Sequence, residues 1–183
     1  MSGNKANRAV FLDRDGVINA IVYRDGRPYP PATLDAMRFL DGVEEAIQRL
    51  KQKGYKIIVA TNQPDVAKGI QKLEIVEKMH ERIYQQLHVD DIKVCYHVDA
   101  DNCPCRKPKP GMLLEAAAQW SLDLKNSYMV GDRWRDVDAG KAAGCKTVWI
   151  VSSYNEKKAE NADIEAESLL EAASIILNQE KDF

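Results

Sequence analysis

The sequence is short of several things. Of its 183 residues four are cysteine, and histidine, tryptophan and phenylalanine number three each. So few thiols do not make a disulfide scaffold, and a chain of this length needs none, because it buries about 70% of the surface its unfolded form exposes. No apolar run approaches the roughly 18 residues that a membrane-spanning helix requires. The start, MSGNKANRAV, lacks the apolar stretch of a signal peptide. The expectation is a soluble, cytoplasmic protein with no membrane partner. Charge of one sign is not in excess either: 26 Lys and Arg face 28 Asp and Glu, a balance of −2. That excludes a general attraction to nucleic acid, so any anion site must be local. Repeats and low-complexity segments are absent, and 1–183 reads as one domain, expected to be a monomer.

What is present alternates in type. RAVFL (8–12), YKIIVAT (55–61), IKVCYHV (92–98), SYMVG (127–131) and KTVWIV (146–151) are short apolar runs of strand character. Between them lie helical patterns at 42–53, 71–87, 111–122 and 136–144, and EAESLLEAASIILNQ (165–179) closes the series. In 71–87 the apolar positions 73, 75, 76, 79, 83, 84 and 87 define one buried face. Strands with no alternation of their own, separated by helices, predict an α/β fold: a doubly wound, Rossmann-like parallel sheet with helices on both faces. The stretch VYRDGRPYPPATLD (22–35), with three of the seven prolines, reads as a surface loop.

Polar residues gather just after the strands. Asp13 and Asp15 in FLDRDG follow 8–12, Thr61 of ATNQ ends 55–61 with Asn62 and Gln63 after it, and Asp132 and Asp136 in VGDRWRD follow 127–131. Alone, each is equally a helix cap or a turn. Together they converge on the rim where an open parallel sheet binds ligands. Carboxylates crowded there suit Mg²⁺, and one of them could attack phosphorus.

Three of the four cysteines fall within eleven residues. Cys95, His97, Cys103 and Cys105 form C-x-H-x5-C-x-C, a ligand set for tetrahedral zinc, with metal-free cysteines as the alternative. Four protein ligands leave no position for water, so the zinc would be structural. Arg106 and Lys107 follow directly, with prolines at 108 and 110 to stiffen the run. Cys145 reads as a small core residue, and His80 and His88 as packing or surface residues.

FLDRDGVIN, VATNQ, CRKPKPGM and VGDRWRD resemble the four ordered motifs of the haloacid dehalogenase superfamily of phosphatases. The Cys/His insertion resembles the branch acting on heptose 1,7-bisphosphate or histidinol phosphate. The resemblance implies Asp13 as nucleophile and Asp15 as acid/base. It implies Mg²⁺ on Asp13, the backbone carbonyl of Asp15 and Asp132, with Asp136 in support. Thr61 and Asn62 would bind the transferring phosphoryl, Lys107 would neutralise it, and Gln63, Arg106 and Arg133 would meet substrate. The Asp13 to Thr61 interval leaves no room for an inserted cap domain. Arg24, Arg27, Arg106, Lys109 and Arg133 could meet a second anion, so the implied substrate is a small phosphorylated sugar, heptose 1,7-bisphosphate cleaved at C7. Pro64 and Asp65 depart from the Ser-Gly common in heptose enzymes, and the short zinc loop keeps histidinol phosphate open. A receiver-like domain phosphorylated on aspartate is the reading from another class; Asp15 and the zinc loop argue against it.

Overall fold

The structure, a computed structural model, describes residues 7–24, 27–152 and 157–179. The ends of the expected domain and positions 25 and 26 of the 22–35 loop lie outside the described residues. In chain order the elements are β1 (Arg8–Leu12), β2 (Val22–Arg24), β3 (Arg27–Tyr29), α1 (Val43–Gln52), β4 (Tyr55–Asn62), α2 (Pro64–Ala67), α3 (Leu73–Leu87) and β5 (Asp91–Cys95). There follow α4 (Gly111–Trp120), β6 (Tyr128–Gly131), α5 (Trp134–Ala143), β7 (Lys146–Ile150), β8 (Ile164–Ala166) and α6 (Leu169–Gln179).

Six strands form one sheet in the order β5-β4-β1-β6-β7-β8, and every neighbouring pair is parallel. Successive side chains of a strand point to opposite faces, and the apolar runs use both. Val10 and Leu12 of β1 enter a core with Ile47 and Leu50 of α1, Met79 and Ile83 of α3, and Ile176 of α6. Ala9 and Phe11 enter a second core with Met112, Leu113 and Ala116 of α4. The expected doubly wound sheet with helices on both faces is what the chain forms. Because the chain leaves β1 toward β4 and later returns to β6 on its other side, the order reverses at β1. That reversal opens a crevice beyond the carboxyl end of β1, where Asp13 sits.

Two expectations are corrected. The helix read over 165–179 starts at Leu169, and Ile164–Ala166 instead adds β8 to the sheet beside β7. Its pattern of buried, exposed, buried residues is that of a half-covered edge strand. The surface loop at 22–35 contains a two-stranded hairpin in which Val22 pairs with Tyr29. Among the described residues no separate cap domain covers the crevice, and no helix is long and apolar enough to cross a membrane.

Candidate active site

Strand ends carry the floor of the site. The Asp13 amide donates to the Val130 carbonyl at 2.9 Å, which extends β1 along β6 and holds Asp13 beside Asp132. Gly131 is required here, because a Cβ on it would lie 2.1 Å from the Asp136 side chain. The Asp136 carboxylate therefore folds back onto the end of β6. One of its oxygens accepts from the Arg133 amide at the start of α5, 3.1 Å away, and the other meets Lys107.

Lys107 is buried between these carboxylates. Its Nζ lies 2.8 Å from Asp13 Oδ1, 2.6 Å from Asp136 Oδ1 and 2.6 Å from the Ala60 carbonyl, which uses all three of its N–H donors. Burial disfavours its charge, but the two carboxylates outweigh that and hold its pKa above the ordinary lysine range. Asn62 braces the same residue. Its Nδ2 donates to the Lys107 carbonyl at 3.0 Å and its Oδ1 accepts from the Lys107 amide at 3.1 Å. The Asn62 side chain thus positions the lysine.

Asp13, Asp132 and Asp136 bring carboxylate oxygens within 4.8 Å of one another. Burial pushes the Asp13 carboxyl up to about 6, and Lys107 counters that effect in part, while Asp136 and Asp15 add to it. One lysine does not neutralise three carboxylates, and a hard divalent cation with oxygen ligands fits the donor set. Asp15 has the opposite balance. Burial raises its pKa, yet Arg14, Asn19 and Gln63 all donate to it and hold it below the ordinary value. Gln63 Nε2 reaches Asp15 at 2.8 Å and Thr61 Oγ1 at 2.9 Å. Since that oxygen accepts from Gln63, the Thr61 hydroxyl hydrogen is left to donate elsewhere.

A cleft of about 330 Å³ opens above this floor. Asp13, Asp15, Asn62, Gln63, Lys107 and Asp136 form its base, and Pro28, Tyr29 and Pro30 of the hairpin form one wall. Lys68, Arg106, Arg133 and Arg135 stand on the others. Arg106 and Arg133 were expected there, whereas Lys68 and Arg135 are added. Arg135 was legible only as the third position after Asp132 once α5 begins at Trp134, two residues earlier than its sequence pattern suggested. Arg24, Arg27 and Lys109 do not line the cleft: Arg24 lies over the Tyr29 ring, and Lys109 donates to the Asn102 carbonyl at 2.9 Å. Asp99 accepts from Arg106 Nε at 2.7 Å and from Arg135 Nη1 at 3.0 Å. Both donors pull its pKa down to about 2.

Behind Arg106 lies the Cys/His cluster. Cys105 Sγ is 3.1 Å from Cys95 Sγ, 3.4 Å from Cys103 Sγ and 3.4 Å from His97 Nδ1. Cys95 Sγ is 3.6 Å from both Cys103 Sγ and His97 Nδ1. A disulfide needs about 2.05 Å, so these are free cysteines. Donors about 2.3 Å from a shared tetrahedral zinc would stand slightly under 4 Å apart, close to what the four donors show. Gly111 lets this loop seat on α4, since a Cβ there would lie 2.3 Å from the Pro104 carbonyl oxygen.

A profile for haloacid dehalogenase-like hydrolases matches residues 30–144. The chain belongs to that family. It is 38% identical over 148 residues to the D-glycero-beta-D-manno-heptose-1,7-bisphosphate 7-phosphatase of Rhodopseudomonas palustris, covering 74% of this chain and 79% of the relative. The Photorhabdus laumondii enzyme of the same name is 37% identical over 186 residues, covering 95% and 92%. A Campylobacter jejuni relative named for the alpha anomer is 36% identical over 161 residues, covering 84% and 86%. Among solved structures, the D,D-heptose 1,7-bisphosphate phosphatase of B. bronchiseptica, complexed with magnesium and phosphate, superposes with a TM-score of 0.80 at 29% identity, covering 94% of this chain and 99% of that one.

As a haloacid dehalogenase phosphatase the protein is a phosphoric monoester hydrolase, and phosphatases of this family use Mg²⁺. A buried polar contact was also missed in the sequence. His80 is buried on α3 with its Nε2 3.2 Å from Arg14 Nη1, directly behind Asp15. The only signal was a histidine within the apolar stripe of 71–87.

Proposed function

We propose that the protein removes the C7 phosphate of D-glycero-D-manno-heptose 1,7-bisphosphate. The observation that supports this is a cleft with two unlike ends: the nucleophile and carboxylates at the base, and Arg106, Arg133 and Arg135 at the rim. A monophosphate occupies only the first. A bisphosphate occupies both, and the relatives share a name that specifies such a substrate.

In this reading Asp13 attacks the phosphorus through the oxygen that does not face Lys107, giving an aspartyl-phosphate. Lys107 offsets the charge of the reacting group, and the Thr61 hydroxyl donates to it. Asp15, ionised in the free protein, takes up a proton as the substrate binds, gives it to the departing sugar oxygen and then takes the proton of the water that releases phosphate. Asn62 and Gln63 act by holding Lys107, Thr61 and Asp15 in register. Asp13, Asp132 and the Asp15 carbonyl would hold Mg²⁺, with Asp136 in support, and the ion would neutralise charge on the transferring group. Zinc on Cys95, His97, Cys103 and Cys105 would be structural and would fix the backbone that leads into Arg106.

Phosphate release from heptose 1,7-bisphosphate, heptose 7-phosphate and histidinol phosphate tests the assignment. A charge-assisted hydrogen bond contributes about 1.5–3 kcal/mol, so the bisphosphate should exceed the monophosphate by at least about tenfold in kcat/KM. Arg106→Ala should erase most of that margin and spare p-nitrophenyl phosphate. Faster turnover of histidinol phosphate than of any sugar bisphosphate would overturn the assignment.

A further inference from the structure

His80 is polar, buried and unused by the chemistry above. It lies on the inward face of α3 among Val76, Met79, Ile83 and Leu87, where a nonpolar residue would satisfy the helix pattern. Its Nε2 is 3.2 Å from Arg14 Nη1. A guanidinium only donates, so Nε2 must accept, and the ring is the neutral tautomer with its proton on Nδ1. Arg14 itself is 1% exposed. Its Nε and Nη2 fork across both oxygens of Asp15 at 2.9–3.2 Å. A buried arginine fixed at one end by a histidine and forked at the other onto a carboxylate determines the plane of that carboxylate.

The other donors to Asp15 are neutral amides, Asn19 Nδ2 at 2.9 Å and Gln63 Nε2 at 2.8 Å. They are the weaker bonds, and one of them can exchange for water or a leaving group while the charged fork stays. We propose that Arg14, held by His80, is the positioning residue that aims Asp15 in the second half-reaction. The inference rests on the assignment of Asp13 as nucleophile and Asp15 as acid/base. In that step the water oxygen bonds to phosphorus, and the bond from phosphorus to the Asp13 oxygen breaks with its electron pair returning to the carboxylate. The water proton passes to Asp15, and inorganic phosphate leaves. Errors of about 1 Å in such a group cost on the order of 10²-fold, and rotation of the carboxylate plane is an error of that kind.

p-Nitrophenyl phosphate separates the half-reactions, because its phenolate leaves without needing a proton while hydrolysis of the aspartyl-phosphate still needs the base. Rapid mixing of the Mg²⁺- and zinc-loaded protein with this ester should be done for wild type, His80→Leu, His80→Gln and Arg14→Lys. His80→Leu removes the acceptor, and Arg14→Lys keeps the charge but removes the fork. Both should release about one nitrophenolate per chain in a burst and then turn over about tenfold or more slowly. His80→Gln, whose amide oxygen replaces Nε2, should stay within about threefold of wild type. Unchanged turnover in His80→Leu and Arg14→Lys overturns the proposal. So does a loss of burst and turnover in equal proportion in both, the mark of a purely structural role. Asp13→Asn serves as the control for the underlying assignment: a burst or turnover in that variant refutes the nucleophile itself, a pattern that no His80 result imitates.

Discussion

Two three-residue charge clusters in this protein have mirror-image compositions. At the floor of the cleft one cation, Lys107, sits between two carboxylates, Asp13 and Asp136, with side-chain exposures of 3%, 12% and 3%. At the rim one carboxylate, Asp99, sits between two cations, Arg106 and Arg135, and is 69% exposed. The floor is left net negative and short of a cation; the rim is left net positive and short of an anion. One cluster therefore suits a metal, and the other suits the far end of a substrate. They also differ in what removal of a member costs. A buried pair that loses one partner leaves a desolvated charge, which costs about 3–5 kcal/mol. An exposed pair is worth about 0–1 kcal/mol. In the function proposed above, the floor holds the electrostatic stability and the chemistry, and the rim holds the selectivity.

Removing the central residue of the floor should have the largest effect. Lys107→Met leaves Asp13 and Asp136 facing each other without their cation. Stability should fall by about 3–5 kcal/mol, read as a lower thermal midpoint, and kcat by on the order of 10³-fold. Arg135→Ala at the rim should leave the midpoint within about 0.5 kcal/mol of wild type. Equal losses in the two variants would erase the distinction between the clusters.

Zinc removal should separate the clusters next. Lys107 has braces of its own, the paired amide contacts with Asn62 and the Ala60 carbonyl, all from β4. Arg106 has the loop, donating to Asp99 and to the His97 carbonyl at 3.2 Å. Chelation should therefore abolish the preference for a bisphosphate while retaining a measurable part of the activity toward p-nitrophenyl phosphate. Zinc-free protein that keeps full selectivity would show that the cluster does not support the rim.

Cation binding at the floor should also be readable through protons. The Asp13 carboxyl rises from 3.8 to about 6, chiefly through burial. Between those values the folded protein holds a proton that the unfolded chain has lost, so this group's contribution to stability is present below about pH 4 and is lost as pH rises through about 6. Mg²⁺ must displace the same proton. Calorimetric titration in buffers of different ionisation enthalpy should find close to one proton released per Mg²⁺ near pH 5, about half of one near pH 6 and none by about pH 8. Release that does not depend on pH would mean that Asp13 is not a ligand.

Much of this arrangement was legible before the fold was known, and the reason is local. Asp13 and Asp132 stand directly after a strand and Thr61 next to the end of one, and apolar runs mark those ends, so position on the rim follows from chain order. The zinc ligands lie in one short segment and needed no tertiary information. What escaped depended on contacts between segments distant in sequence. His80 reads as one more position on an amphipathic helix until Arg14 is found 66 residues away in the chain. Arg135 depends on where α5 begins, and the brace that the Asn62 amide gives the Lys107 backbone spans 45 residues of chain. Asp99 had no signal, because an exposed acid in a loop is ordinary. β8 was hidden because a three-residue edge strand running toward a helix carries too few positions to show a period.

Asp99 gives the smallest expected effect and the sharpest test of the comparison. Its carboxylate stays ionised at any pH where the enzyme works, since Arg106 and Arg135 hold it down to about 2. It is nevertheless exposed, so Asp99→Asn should leave stability within about 0.5 kcal/mol of wild type. Both guanidiniums donate to one of its oxygens, Arg106 through Nε and Arg135 through Nη1, and both arginines line the cleft. Asparagine keeps the shape and loses the charge, so the two cations should spread apart and solvate. For the bisphosphate KM should rise about two- to threefold with kcat unchanged, the size of a weak exposed ion pair. For p-nitrophenyl phosphate both constants should stay as they are. Because salt screens exposed charges within about 10 Å at 0.1 M, the difference in KM should shrink as ionic strength rises. A change in kcat, or one equal for both substrates, would place Asp99 with the floor and dissolve the division between the two clusters.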